Sequence, residues 1–318
     1  MSHIDVLSVT KLSPLLEPQL RAVFNLHDRL HETDPTAFAK VAPSIRAIAA
    51  SGESKVPASL IAQLPALEII SVFGVGYDGV DVTAAKARNV MVTHTPNVLN
   101  DDVADLAIGL MLAAARQLPA ADRYVKDGKW PSGPMPLARK VSGARMGIVG
   151  MGRIGQAIAQ RALAFNMSVA YTARSAKSDI PHTYYPSAAA LAAESDYLVV
   201  ITPGGDGTRK LINAEVLRAL GTKGILVNVA RGSVVDESAL IEALQNGVIG
   251  GAGLDVFEAE PNVPEALRAF PHVVLAPHVG SATSQTRQAM ADLAFNNLKS
   301  HFDGQAVHTP VPECVHKG

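Results

Sequence analysis

Three residues in the C-terminal half of the chain carry side chains suited to acid–base and carboxylate chemistry. Arg231 follows the apolar run Val227-Asn228-Val229-Ala230, Glu260 stands in Asp255-Val256-Phe257-Glu258-Ala259-Glu260-Pro261, and His278 stands in Ala276-Pro277-His278-Val279-Gly280-Ser281. The planar fork of Arg231 can grip a carboxylate through two bonds and polarise an adjacent keto oxygen. If Glu260 touches one nitrogen of His278, it favours the imidazolium and raises its pKa. The other nitrogen can then give a proton to an oxygen as a hydride reaches the carbonyl carbon. A proton donor, a group that keeps it charged and a cation for a carboxylate are what hydride transfer to a 2-keto acid needs besides the hydride source. Each residue alone has a plainer reading: a lone histidine is more often structural, and a glutamate before proline is often a loop charge. Their shared position, just after strand-like runs, favours the chemical reading, because ligands in parallel α/β sheets bind beyond the carboxyl ends of the strands.

The hydride source is suggested by Gly147-Ile148-Val149-Gly150-Met151-Gly152-Arg153-Ile154-Gly155, which contains Gly-x-Gly-x-x-Gly. The pattern follows an apolar strand and opens a helix, Arg153 to Phe165, which is the context that binds a dinucleotide. Gly150 makes the tight turn, Gly152 lets the backbone approach a pyrophosphate and Gly155 permits close helix packing. The N–H groups at the helix start then face the phosphates. The alternative is a glycine-rich turn that binds nothing. After the next strand the chain reads Tyr171-Thr172-Ala173-Arg174-Ser175-Ala176-Lys177. Ala173 stands about where an NAD site places an acid for the ribose 2′-hydroxyl. Arg174 and Ser175 could instead bind a 2′-phosphate, and a charge-assisted bond there gives a roughly ten- to hundredfold preference for NADP(H), with NAD(H) as the second cofactor. A solvated surface arginine is the plainer alternative, and Lys177 reads as a surface charge.

These residues need a scaffold, and the apolar patterning supplies one. Short apolar runs alternate with helical stretches, which argues for α/β architecture with parallel sheets. Strand-like runs in the first hundred residues are Ile4 to Val9, Leu67 to Phe73 and Val90 to His94, with helical stretches between them. From Arg145, six runs match a doubly wound sheet: Met146 to Val149, Ser168 to Thr172, Tyr197 to Ile201, Gly224 to Val229, Gly251 to Val256 and Val273 to Leu275. Between the two sets, Asn100 or Asp101 can cap a helix running from about Asp102 to Gln117. That helix is apolar on nearly every face, so it reads as buried between domains or at a subunit contact. An irregular arm, Asp127 to Val141, follows and contains Trp130; such arms are often functional or partner-binding. A last helix, Ser284 to His301, returns the chain to the first domain. The expected fold is therefore two doubly wound parallel-sheet domains. The larger is a Rossmann dinucleotide-binding domain (100–284), inserted into a smaller substrate domain (1–99 and 285–318).

Composition excludes several other classes. The chain has 318 residues, long enough for two domains, with 48% hydrophobic and 18% charged residues. Its formal charge of −1 offers no positive excess to hold nucleic acid or an anionic membrane. No run approaches the roughly 20 apolar residues of a membrane helix, and the start of the chain does not read as a signal peptide. The single cysteine, Cys314, allows no intrachain disulfide and no cysteine-rich zinc site; it reads as a tail residue. A cytoplasmic location fits, and no metal site is expected.

Together with Gly74-Val75-Gly76-Tyr77-Asp78, Asp102-Val103-Ala104-Asp105, Asn228-Val229-Ala230-Arg231-Gly232 and Gly253-Leu254-Asp255-Val256-Phe257, these segments resemble the D-isomer-specific 2-hydroxyacid dehydrogenases, especially their glyoxylate/hydroxypyruvate reductase branch. The resemblance runs from about Gly74 to Thr283. It implies a catalytic set of Arg231, Glu260 and His278, and a substrate carboxylate held by Arg231 with the N–H groups of Val75 and Gly76. It places Asp255 on the nicotinamide amide and Thr202-Pro203 on the adenosine side. The full expected dinucleotide site is Gly150, Met151, Gly152, Arg153, Ile154, Gly155, Arg174, Ser175, Thr202, Pro203, Val229, Ala230, Asp255 and Gly280. The resemblance also implies an active site in a cleft between two domains, and a homodimer joined through the dinucleotide domain. Trp130 resembles an arm tryptophan that reaches the partner's active site in the hydroxypyruvate reductase branch; packing between subunits is its plainer role. The departure from NAD-using members is Ala173, which supports NADP.

The expected activity is NADPH-dependent reduction of small 2-keto acids, glyoxylate or hydroxypyruvate, to D-2-hydroxy acids. An aromatic 2-keto acid reductase of phenylpyruvate-like substrates is the alternative. A dinucleotide-sensing regulator on the same fold is a third reading, opposed by the complete Arg231, Glu260 and His278 set. A phosphorylated or phosphonate substrate would call for a basic cluster that the sequence does not offer.

Overall fold

The structure is a computed structural model that describes residues 4–315. It divides into two compact units, Met1–Leu99 with Ala282–Gly318, and Asn100–Ser281. Both ends of the chain thus build one unit, and the other is inserted between them in sequence.

The first unit is a five-stranded, wholly parallel sheet. Its strands are β1 (Asp5–Ser8), β2 (Asn25–Asp28), β3 (Ile45–Ser51), β4 (Ile69–Phe73) and β5 (Met91–Thr93), in the order β2-β1-β3-β4-β5. All five residues of β4 are buried, as expected of a central strand covered on both faces. The helix Ser284–Phe302 lies along β4, where the Ser71 hydroxyl donates to the Ala294 carbonyl at 3.0 Å. Its far end packs Phe295 and Phe302 edge-on against Phe24. Two of the strands, β2 and β3, fall where the sequence reads as helical. The reason at β3 is composition: Ile45-Arg46-Ala47-Ile48-Ala49-Ala50-Ser51 is rich in alanine, a strong helix former. In the interior of a sheet, burial on both faces overrides that preference, and β3 pairs with β1 on one side and β4 on the other. The short polar strand β2 (Asn-Leu-His-Asp) is an edge strand with one buried side chain, so it carries almost no apolar signal.

The second unit is a seven-stranded parallel sheet of β6 (Arg145–Val149), β7 (Ser168–Thr172), β8 (Thr183–Tyr184), β9 (Tyr197–Val200), β10 (Ile225–Asn228), β11 (Gly251–Leu254) and β12 (Val273–Leu275). The order is β12-β11-β10-β9-β6-β7-β8, so the winding direction reverses between β6 and β9. The crevice at such a reversal, at the carboxyl ends of the strands, is where doubly wound sheets bind ligands. Six of these strands match the sequence reading, and the seventh, β8, is a two-residue edge too short to show a pattern. The helix Asn100–Ala115 begins at Asn100, so Asn100 and Asp101 sit in its first turn instead of preceding it. Its apolar faces are covered within its own unit, by the helix Arg153–Ala164 and by β10 and β11. The contacts that cover this helix thus lie largely inside its own unit. No single helix among the described residues is long and apolar enough to cross a membrane.

Candidate active site

The carboxyl ends of β10, β11 and β12 bring Arg231, Glu260 and His278 into one neighbourhood. Asn228, buried at the end of β10, shapes the first turn: its side-chain oxygen accepts the Ala230 N–H at 3.0 Å and its amide donates to the Arg231 carbonyl at 3.0 Å. The Arg231 guanidinium is partly buried and donates to the Ala230 carbonyl at 2.7 Å. Gly232 then runs so close to the next loop that a Cβ would lie 1.9 Å from the Phe257 carbonyl carbon, so only glycine lets the two loops meet. From that loop the Phe257 N–H donates to Glu260 Oε1 at 2.8 Å, and Glu260 Oε2 lies 2.7 Å from His278 Nδ1. One carboxylate thus has its two oxygens spoken for, one by backbone and one by the imidazole. With Nδ1 bonded to the Glu260 carboxylate, the ring's orientation and its second nitrogen, Nε2, are fixed by that bond.

Asp255 fixes the His278 loop. Its carboxylate, 2% exposed, accepts the Val279 N–H at 2.7 Å and the Gly280 N–H at 2.8 Å, while its carbonyl accepts the His278 N–H at 2.8 Å. Burial pushes this carboxyl above the usual aspartate range, against the two backbone bonds that pull it down. Three successive N–H groups therefore close on one residue. Neither Asn228 nor this clamp was picked out by sequence reasoning as holding the site. The available signal was a polar residue ending each of two otherwise apolar runs.

The dinucleotide candidates gather at the sheet's reversal. Gly150 has φ +107°, and a Cβ there would sit 2.7 Å from the Ile201 carbonyl oxygen, which brings the glycine turn against the loop of Thr202 and Pro203. A Cβ on Gly155 would lie 2.2 Å from the Gly150 carbonyl oxygen, so the helix packs tightly on its own strand. A Cβ at Gly152 would meet no protein atom within 4 Å. Protein packing thus gives no reason for glycine at 152, whereas close approach of a phosphate does. The helix Arg153–Ala164 has no side-chain cap at Gly152, while Ser187, Asn213 and Asp236 cap helices of the same unit. Its first N–H groups are left for an anion. Met151, Val229, Ala230 and Gly280 are buried around this end of the sheet, and Ile154 is partly buried. Arg153, Arg174 and Ser175 are exposed, and no acid ends β7. These residues fit a dinucleotide.

In the first unit, Val75 and Gly76 follow β4. Thr95 is bonded twice to Gly74 and His94 Nδ1 lies 2.9 Å from the Val75 carbonyl, which holds the turn. Among the described residues the N–H groups of Val75 and Gly76 have no acceptor, so they remain open to an anion. Trp130 lies in a short turn, Trp130–Ser132, and is 67% exposed.

The chain belongs to the D-isomer specific 2-hydroxyacid dehydrogenases: the family's NAD binding domain matches residues 108–280. It is an oxidoreductase of that class. It is 47% identical over 312 residues to a glyoxylate/hydroxypyruvate reductase A of Arabidopsis thaliana, covering 98% of this chain and 100% of the relative. It is 48% identical over 312 residues to a hydroxyphenylpyruvate reductase of Plectranthus scutellarioides, with the same coverage of 98% and 100%. Among solved structures, the NADPH-dependent glyoxylate/hydroxypyruvate reductase of Sinorhizobium meliloti in complex with NADP and malonate superposes with a TM-score of 0.93. It is 47% identical, and 98% of each chain is covered.

Proposed function

We propose that this protein reduces glyoxylate or hydroxypyruvate to the D-2-hydroxy acid with NADPH. The observation that carries the reading is the 2.7 Å contact between Glu260 and His278, set beside Arg231 at the carboxyl ends of the strands. When bound, the reduced nicotinamide supplies the hydride to the keto carbon. His278 gives its Nε2 proton to the oxygen, and Glu260 stabilises the imidazolium before transfer and holds the ring in line. Arg231 binds the substrate carboxylate, for which a planar donor pair is well matched. Val75 and Gly76 are the first unit's anion-binding candidates. The open space at Gly152 and the uncapped helix behind it support pyrophosphate binding, and Arg174 with Ser175 in place of an acid supports NADP over NAD.

The Sinorhizobium meliloti neighbour is described as NADPH-dependent and acting on glyoxylate and hydroxypyruvate, which agrees with this reading. An aromatic substrate is the second reading, because a hydroxyphenylpyruvate reductase is as similar as the others. The test is loss of nicotinamide absorbance with NADPH and with NADH against glyoxylate, hydroxypyruvate, pyruvate and phenylpyruvate. Turnover concentrated on NADPH and the two small acids is expected. Turnover favouring phenylpyruvate would move the protein to the aromatic reading, and no turnover with any pair would overturn both.

The protein acts as a homodimer in this proposal. Leu118, Val125, Trp130 and Leu137 are exposed apolar side chains clustered within twenty residues of chain, and a second copy of the same segment would cover them.

A further inference from the structure

The segment Arg174–Asp179 is exposed at every residue, so packing does not hold it. Two tyrosines tie it to the sheet: the Tyr184 hydroxyl makes a long 3.5 Å bond to the Ala173 carbonyl, and the stronger tie comes from a buried side chain. Tyr171 lies in β7, is 1% exposed, and its ring leans on Tyr184 of the edge strand β8 at a centroid distance of 5.5 Å. A tyrosine hydroxyl buried this deeply must find a partner. It finds one six residues on, where it accepts the Lys177 N–H at 2.8 Å. The chain between, Thr172 to Ala176, is thereby closed into a loop around its own strand, with Arg174 and Ser175 at the crest. The next tie along the chain, from the Ile180 N–H to the Lys177 carbonyl, is long at 3.4 Å. It meets the loop at the same residue and does not fix the crest independently.

We propose that Tyr171 is a positioning residue for coenzyme selection: its buried hydroxyl, through the Lys177 N–H, sets the Arg174–Ser175 crest in the shape that receives the 2′-phosphate of NADPH. The inference rests on the coenzyme reading given above. Its physical basis is preorganisation. A crest already ordered does not lose that freedom when the phosphate arrives, so the phosphate's bonds appear more fully as affinity. NADH carries an uncharged hydroxyl where NADPH carries the phosphate, so an ordered crest of Arg174 and Ser175 adds little to its affinity.

Tyr171→Phe removes the hydroxyl and leaves the ring in its packing. Steady-state kcat/KM for NADPH and for NADH, measured in wild type, Y171F, R174A and the double variant, reads the proposal out. In Y171F the NADPH-to-NADH ratio is expected to fall roughly two- to tenfold, the scale of one hydrogen bond, through KM for NADPH with kcat held. In the R174A background the same substitution is expected to leave the ratio unmoved. A merely structural role for the hydroxyl would lower both coenzymes alike, and thermal unfolding of Y171F separates that case. A selective wild type whose ratio is unchanged by Y171F, or falls equally with and without Arg174, would overturn the proposal alone. A wild type that prefers neither coenzyme and is indifferent to R174A would overturn the coenzyme reading and this inference with it.

Discussion

His278 holds a left-handed backbone conformation, φ 53°, that non-glycine residues adopt at a cost of about 1 kcal/mol or more. Asp255 sustains it by accepting three consecutive N–H groups, at 278, 279 and 280. Gly280 lets the carboxylate come close, since a Cβ there would already stand 3.1 Å from Asp255 Oδ2. In Asp255→Asn the amide would turn a donor toward one of those N–H groups. We expect kcat to fall roughly ten- to hundredfold, the loss of a bond to a charged acceptor, while the fold persists. The pH dependence has a definite sign. Because burial raises this carboxyl, the folded protein keeps the proton to higher pH than the unfolded chain. Its ionisation therefore subtracts from stability as pH rises from the ordinary 3.8 to the raised value. The clamp needs the ionised form, so the acid limb of kcat should lie above 3.8 and be missing from the slow D255N variant. A limb at or below that value, or one retained by D255N, would contradict the clamp. Arg231, Glu260 and His278 were visible in the sequence as residue types after apolar runs. The clamp was not, because it depends on three loops meeting, at Gly232 against Phe257 and at Asp255 beneath His278.

At the level of elements, legibility followed side-chain shape. Strands of branched and aromatic residues, such as Tyr197–Val200 and Ile225–Asn228, announce themselves. The alanines of Ile45–Ser51 do not, and a two-residue edge such as Thr183–Tyr184 exists only through its pairing with β7. The glycine motif was legible because each glycine answers a distinct local demand. The order of the strands is held at the opposite end of the sheet from the site. There Arg145, opening β6, donates its N–H to Asp196 at 2.9 Å, its side chain pairs with the same carboxylate, and its carbonyl accepts the Asp196 N–H at 2.9 Å. Burial works against ionisation of Asp196, but the bonds and charge of Arg145 outweigh it and hold the carboxyl below 3.8. A lowered carboxyl stabilises the fold above its ordinary pKa, and that contribution is lost as pH falls through the lowered value. The pair is partly exposed, so about 1 kcal/mol or less is at stake. Asp196→Asn should lower the unfolding midpoint at neutral pH by about 2–4 °C, a difference that closes in acid, with kcat/KM unchanged. A lost activity would show that this end of the sheet bears on the site.

For the whole molecule, the chain's plan follows from its termini: the helix Ser284–Phe302 returns to β4, so residues 100–281 form an insertion with its own sheet and core. That insertion carries the exposed apolar segment from Leu118 to Leu137, the last 99% exposed. The irregular arm from Asp127 to Val141 was legible as a partner-binding candidate, but Leu137 itself sits among prolines and glycine with no periodicity to judge by. If the segment is covered by a second copy, Leu137→Glu should shift the protein from dimer toward monomer in sedimentation, by burying a charge in the contact. A wild type that sediments as a monomer would refute the dimer directly, and an unshifted L137E dimer would place the contact elsewhere.

In the proposed reaction His278, held by Glu260, delivers the proton to the carbonyl oxygen. The most direct measurement pairs NADPH binding, by fluorescence titration, with single-turnover reduction of hydroxypyruvate by wild type and His278→Gln. Unchanged NADPH binding is expected, with a reduction rate lower by about 10²–10⁴-fold, the usual worth of a positioned general acid. Reduction by H278Q at a rate near that of wild type would contradict that role of His278.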